Sequence, residues 1–132
     1  MIVVDGSALI AFFLREEGWS ELAEYMVRTI SLDQAVKEFY NAIWRAVNIS
    51  KRITKEEALR SLSLFKTYLS GNMDLRKEEE QLDKALEIAL ENGITIYDAL
   101  YISLAIHENK PLLTLDRKQR EVSRKYNVMT LP

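Results

Sequence analysis

The sequence contains no cysteine. That excludes a disulfide framework, a thiolate zinc site and a cysteine nucleophile, and it fits a reducing cytoplasm. A single histidine, His107, excludes a multi-histidine metal centre and argues against a histidine-based catalytic triad. Two prolines and four glycines leave no room for a flexible linker. The longest apolar stretch, around Ala99–Ile106, is interrupted by Ser103 and is far too short to span a bilayer. The opening Met-Ile-Val-Val-Asp has no basic n-region, long apolar core or small-residue cleavage site, so no signal peptide is expected. Neither sign of charge dominates. With 20 acids against 18 bases, a globally basic nucleic-acid binder is excluded, although a local basic patch is not.

What is present is ordinary globular composition. The 132 residues are 48% hydrophobic and 29% charged, which predicts one domain over 1–132 with a real core. Short apolar runs at Ile2–Val4, Leu112–Leu115 and Val128–Met129 read as strands, with weaker candidates at Thr29–Ile30 and near Asn72–Leu75. Unbroken runs of this kind suit a parallel sheet buried on both faces. Ser31 with Gln34, and Thr54 with Glu57, have the spacing of capping boxes, and each precedes an apolar face at helical spacing. A third stripe, Leu82 to Leu90, is followed by Gly93 as a stop. Tyr97–Ile106 is apolar nearly all round and should form a buried helix. Strands alternating with helices predict an α/β protein, a three-layer α/β/α sandwich.

Four acids stand in unusual places. Asp5 follows the first strand directly, and Asp116 follows Leu112–Leu115. Open α/β sheets carry their sites at the carboxyl ends of strands. The simpler reading is that each acid caps the next helix. Asp98 is the only charged side chain between Glu91 and His107, at the start of the buried helix. Burying a carboxylate costs several kcal/mol unless it is paired or bound to metal (order of magnitude). A cap formed by Thr95 is the alternative there. Glu38 shares a helix flank with Asn41 and Arg45. Four carboxylates brought to one point would repel, and hard divalent cations such as Mg2+ relieve that through oxygen ligands.

At these residues the sequence resembles the PIN-domain ribonucleases, most nearly the VapC-type toxins of prokaryotic toxin–antitoxin pairs. The matching segments are Val3–Leu9, Val36–Arg45, Tyr97–Tyr101 and Leu113–Arg117, in the family's order and approximate spacing. The resemblance implies a parallel sheet of about five strands and Mg2+- or Mn2+-dependent endonucleolytic cleavage of RNA. The acidic quartet carries over to Asp5, Glu38, Asp98 and Asp116 as metal-binding and catalytic residues. Ser7, Asn41 and Thr114 fall at supporting polar positions. A homodimer and a small antitoxin partner are implied as well.

Arg117, Lys118, Arg120, Arg124 and Lys125 crowd the segment after Asp116. Of these Arg117, Lys118 and Arg120, together with Arg45, are candidate RNA-binding residues, against the alternative of a solvated helix face. Glu78, Glu79, Glu80, Asp83 and Glu87 form an acidic stretch expected to face away from RNA. Aromatics concentrated in the N-terminal third suit a core, with some expected to line a groove for an antitoxin helix or a second protomer. A haloacid-dehalogenase-type phosphatase needs a second Asp where Ser7 stands, and a dinucleotide-binding turn needs more than the single Gly6. The remaining competitor is a non-catalytic α/β interaction module whose acids only cap helices.

Overall fold

β1 (Ile2–Val4) lies at the centre of a five-stranded, wholly parallel sheet. Its partners are β2 (Thr29–Leu32), β3 (Met73–Arg76), β4 (Leu112–Leu113) and β5 (Thr130–Leu131), in the order β3-β2-β1-β4-β5. These come from a computed structural model that describes all 132 residues. The inner strands β1 and β4 carry unbroken apolar runs and β2 alternates apolar with hydroxyl residues; all three are almost wholly buried, while edge strands β3 and β5 are more exposed. That is the burial pattern of a sheet covered on both faces.

The helices are α1 (Gly6–Phe13), α2 (Trp19–Leu22), α3 (Gln34–Asn48), α4 (Lys55–Asn72), α5 (Leu82–Asn92), α6 (Ile96–Glu108) and α7 (Arg117–Lys125). Helices α1, α3 and α4 pack on one another, and α6 packs on α5, α7 and strands β1, β2 and β4. The crossovers run outward through β2 to β3, then return past β1 to β4 and β5. The chain therefore reverses its direction of winding between β1 and β4, and the crevice beyond their carboxyl ends is the topological switch point. Phe39 of α3 stacks on Phe65 of α4 with ring centroids 4.1 Å apart, anchoring one helical layer. Residues Ala99–Ala105 of α6 are all buried, as its apolar surface predicts. No helix is long and apolar enough to cross a membrane.

Three local expectations shift. Ser31 is not a helix cap: it lies inside β2, and its hydroxyl donates to Val4 O at 2.7 Å. Asp33 takes the cap position of α3, but its carboxylate accepts the Glu78 N–H at 3.0 Å and no N–H of the helix. A cap pattern is local, whereas the four-residue ladder of β2 with β3 extends the strand through Leu32. The last strand falls at Thr130–Leu131 rather than Val128–Met129, because pairing with Leu112 and Leu113 sets its register. β4 ends at Leu113, two residues early, where Thr114 turns to its polar contacts. The Thr54–Glu57 capping box and the left-handed Gly93 stop of α5 are as expected.

Candidate active site

The site begins with Asp5, the residue after β1, which is fully buried. Its N–H bonds Leu113 O at 3.1 Å, carrying the β1–β4 ladder one step further. It caps α1 by accepting Ala8 N–H at 2.9 Å. Two hydroxyls close around the same carboxylate. Thr114 Oγ1 donates to Oδ2 at 2.6 Å, and Ser7 Oγ lies 2.7 and 2.9 Å from the two oxygens. Each hydroxyl also accepts a backbone N–H of the turn after β4: Ser7 from Leu115 at 3.1 Å, and Thr114 from Asp116 at 3.0 Å. Asp5 and the turn that carries Asp116 are thus locked together through Ser7 and Thr114. Burial pushes the Asp5 carboxyl up to about 6 against these hydrogen bonds, and the Glu38 charge adds to the rise.

Glu38 projects from α3. Tyr101, buried in α6, donates its hydroxyl to Glu38 Oε1 at 2.7 Å. The other side of the carboxylate fills the space where Gly6 has no side chain. A Cβ at Gly6 would meet Glu38 Oε2 and stand 2.9 Å from its Cδ. Burial raises the Glu38 carboxyl above its ordinary range; the tyrosine bond opposes the rise, and the charges of Asp98 and Glu78 reinforce it. Burial, then the Glu38 charge, holds the Tyr101 hydroxyl well above the ordinary phenol range.

Asp98 lies at the third position of α6, whose cap is Thr95 Oγ1, accepting Asp98 N–H at 3.3 Å. The expected cap is present, but the Asp98 carboxylate is held elsewhere: Gln119 Nε2 donates to its Oδ1 at 3.1 Å. Burial and then the Asp116 charge raise the Asp98 carboxyl, while Gln119 and Lys118 lower it. Asp116 caps α7, accepting Gln119 N–H at 2.9 Å.

All four acids therefore reach the carboxyl edge of the sheet around the switch point, coupled electrostatically in the sequence Asp5–Glu38–Asp98–Asp116. They are not closed into a chelating cluster: as they stand, no three acids or histidines are grouped to hold an ion. Each acid has its own hydrogen-bond anchor. The donor set still fits a hard divalent cation. It consists of carboxylate oxygens, has no thiol, and includes carboxyls raised by burial and by one another, so added positive charge is favoured there.

Asn41 and Arg45 line a cleft of about 470 Å³ beside Glu38, together with Arg52, which pairs with Glu16 at 2.9 Å. Arg117 and Lys118 are exposed at the start of α7. Arg120 folds back, its guanidinium donating to Thr114 O at 2.9 Å. Four participants escaped sequence reasoning: Tyr101, Gln119, the missing side chain of Gly6, and Glu78. The charge of Glu78 reaches Glu38, so this one acid of the stretch does not face away from the site. Its place directly beyond β3 was the available signal. Gln119 left none, because a glutamine in a charged helix reads as surface.

A parallel α/β sandwich with an acidic site at the switch point defines the structural class. The PIN domain family model matches residues 2–125, and the chain belongs to the PIN-domain family. It is of the VapC type. Ribonuclease VapC3 of Pyrobaculum aerophilum is 34% identical over 124 residues, covering 91% of this chain and 92% of that protein. Exonuclease VapC9 of the same organism is 33% identical over 116 residues, covering 88% and 80%. The crystal structure of PAE2754 from Pyrobaculum aerophilum superposes with a TM-score of 0.72 at 26% identity, covering 98% of this chain and 89% of that one.

Proposed function

We propose that this chain is a Mg2+- or Mn2+-dependent endoribonuclease and the toxin of a toxin–antitoxin pair. The observation that supports the reading is the pairwise charge coupling that runs from Asp5 through Glu38 and Asp98 to Asp116 along the carboxyl edge of the sheet, in a chain whose relatives are named as nucleases. Asp5, Asp98 and Asp116 would hold the metal, with Glu38 completing the site. A bound divalent ion there supplies a water of lowered pKa and neutralises charge on a phosphoryl oxygen. Ser7 and Thr114 keep the Asp5 carboxylate aimed, and Gly6 leaves room for Glu38. Glu38, held on one oxygen by Tyr101, orients the attacking water and accepts its proton. The water oxygen forms the new P–O bond as the bond to the 3′-oxygen breaks in line, and the departing oxygen takes a proton from bulk water, so the products are a 5′-phosphate and a 3′-hydroxyl. Arg45, Arg117 and Lys118 hold phosphates beside the cut.

Partner binding belongs to the same reading. A mainly apolar groove of about 340 Å³ between α1, α2 and α4, lined by Phe12, Trp19, Leu64 and Tyr68, suits an amphipathic antitoxin helix. A homodimer and a cytoplasmic setting follow from the same family type; a monomeric mass by sedimentation would end the former.

The test is cleavage of total cellular RNA and of a circular RNA with added Mn2+, followed by sequencing of 5′-phosphate ends. Cutting of the circle is expected. Trimming of linear RNA alone would make the enzyme an exonuclease, and activity surviving Asp5→Asn and Asp98→Asn would sink the site assignment. The cap-only module has one observation in its favour, since Asp5 and Asp116 do cap α1 and α7. Capping leaves Glu38 unexplained, and it predicts no stabilisation by Mn2+.

A further inference from the structure

Gln119 occupies the third position of α7 and is 3% exposed, more buried than any acid of the site except Asp5. Its backbone N–H donates to Asp116 Oδ1 at 2.9 Å, and its side-chain Nε2 donates to Asp98 Oδ1 at 3.1 Å. One residue thus grips one oxygen of each of two carboxylates that arrive from different elements. The rest of its amide gains nothing: Oε1 is buried without a hydrogen-bond partner, as is Ser123 Oγ one turn on. A buried polar atom left unpaired opposes folding, and an apolar side chain of the same length would carry no such burden here. What the glutamine supplies, and methionine or leucine would not, is the donor to Asp98.

We propose that Gln119 is a positioning residue whose side chain holds the Asp98 carboxylate at a set spacing from Asp116, and through it sets the divalent-metal affinity of the site. The inference rests on the metal-dependent reading given above. Groups that orient metal-binding side chains typically change affinity 10–100-fold when removed, roughly. A merely structural hydrogen bond would instead show in stability and leave metal binding alone.

The experiment compares wild type with Gln119→Met and Gln119→Leu. Thermal unfolding is measured in EDTA, and Mn2+ affinity by calorimetric titration without RNA. The expected result is an unfolding midpoint in EDTA equal to or above that of wild type, with Mn2+ dissociation constants weakened about 10-fold or more in both variants. Wild-type Mn2+ affinity in both variants overturns the inference while leaving the metal reading in place. Variants that fail to fold, or that lose several degrees and keep full Mn2+ affinity, overturn it as well, since Gln119 is then structural. Absence of Mn2+ binding by wild type removes the metal reading and this inference together.

Discussion

Thr114 Oγ1 donates to Asp5 Oδ2 at 2.6 Å and accepts the N–H of Asp116 at 3.0 Å, so one hydroxyl joins the acid after β1 to the acid after β4. The two strands are neighbours although Thr114 and Asp5 are 109 residues apart. Ser7 repeats the arrangement from the other side, through Leu115. The first and last acids of the quartet therefore form one rigid unit, while Glu38 and Asp98 arrive on α3 and α6 with separate anchors.

Thr114→Val keeps the shape and removes both hydrogen bonds. The expected loss of stability is about 1–3 kcal/mol, because a buried carboxylate and a backbone N–H lose their partner. Thr114→Ser should recover most of it. Urea denaturation reads the stability, and Mn2+-dependent RNA cleavage should fall with it in the valine variant only.

The pH dependence of the metal-free protein follows from Asp5, whose carboxyl sits at about 6 in the fold against an ordinary 3.8. Between these values the folded state binds more protons than the unfolded chain, so stability falls as pH rises. The contribution is fully present below the unfolded value and is lost as pH passes the folded one. The shift corresponds to about 3 kcal/mol. Glu38 and Asp98 are shifted in the same direction. In EDTA, the melting temperature of Asp5→Asn relative to wild type should therefore climb from acid to neutral pH, on top of a pH-independent loss from the acceptor taken away from Thr114 and Ser7. A gap that is constant with pH contradicts the burial argument.

Gly6→Ala tests the fit of Glu38. The new methyl would occupy the carboxylate's place, and Glu38 must swing away from Tyr101. Gly6 has ordinary helical geometry in α1, so alanine itself suits the backbone. Cleavage should drop at least as far as in Tyr101→Phe, with the fold retained by circular dichroism. Full activity would mean that the Glu38 position does not matter.

Added Mn2+ should stabilise the wild type by mass action, about 2.7 kcal/mol at a hundred times the dissociation constant. EDTA should reverse the gain, and Asp98→Asn should abolish it. A melting curve indifferent to Mn2+ would favour the cap-only module.

The basic residues divide by geometry. Arg117 and Lys118 are exposed, whereas Arg120 is bonded to Thr114 O. Charge reversal at both Arg117 and Lys118 should lower the salt slope of RNA binding by about 0.7 for each phosphate that is no longer neutralised. Arg120→Met should leave the slope nearly unchanged and lower stability instead. An unchanged slope in the double variant would remove the α7 patch from the RNA path.

The sequence by itself determined the strand–helix alternation, the buried α6, and the placement of Asp5 and Asp116 at one edge. Those features are local: an apolar run ends, an acid follows, and the following helix takes that acid as its cap. Asp98 was legible for a similar reason, as a lone charge in an apolar segment. Only the tertiary structure decided what holds each acid. Tyr101 meets Glu38 across 63 residues, and Gln119 meets Asp98 across 21, because α6 packs where the returning crossover brings it beside both α3 and α7. Periodicity assigns a residue to a face, but a hydrogen bond needs two atoms within about 3 Å, and the crossing of packed helices sets that distance. The same cause turned Arg120 inward, brought Glu78 to the site, and let the ladder of β2 override the cap pattern at Ser31.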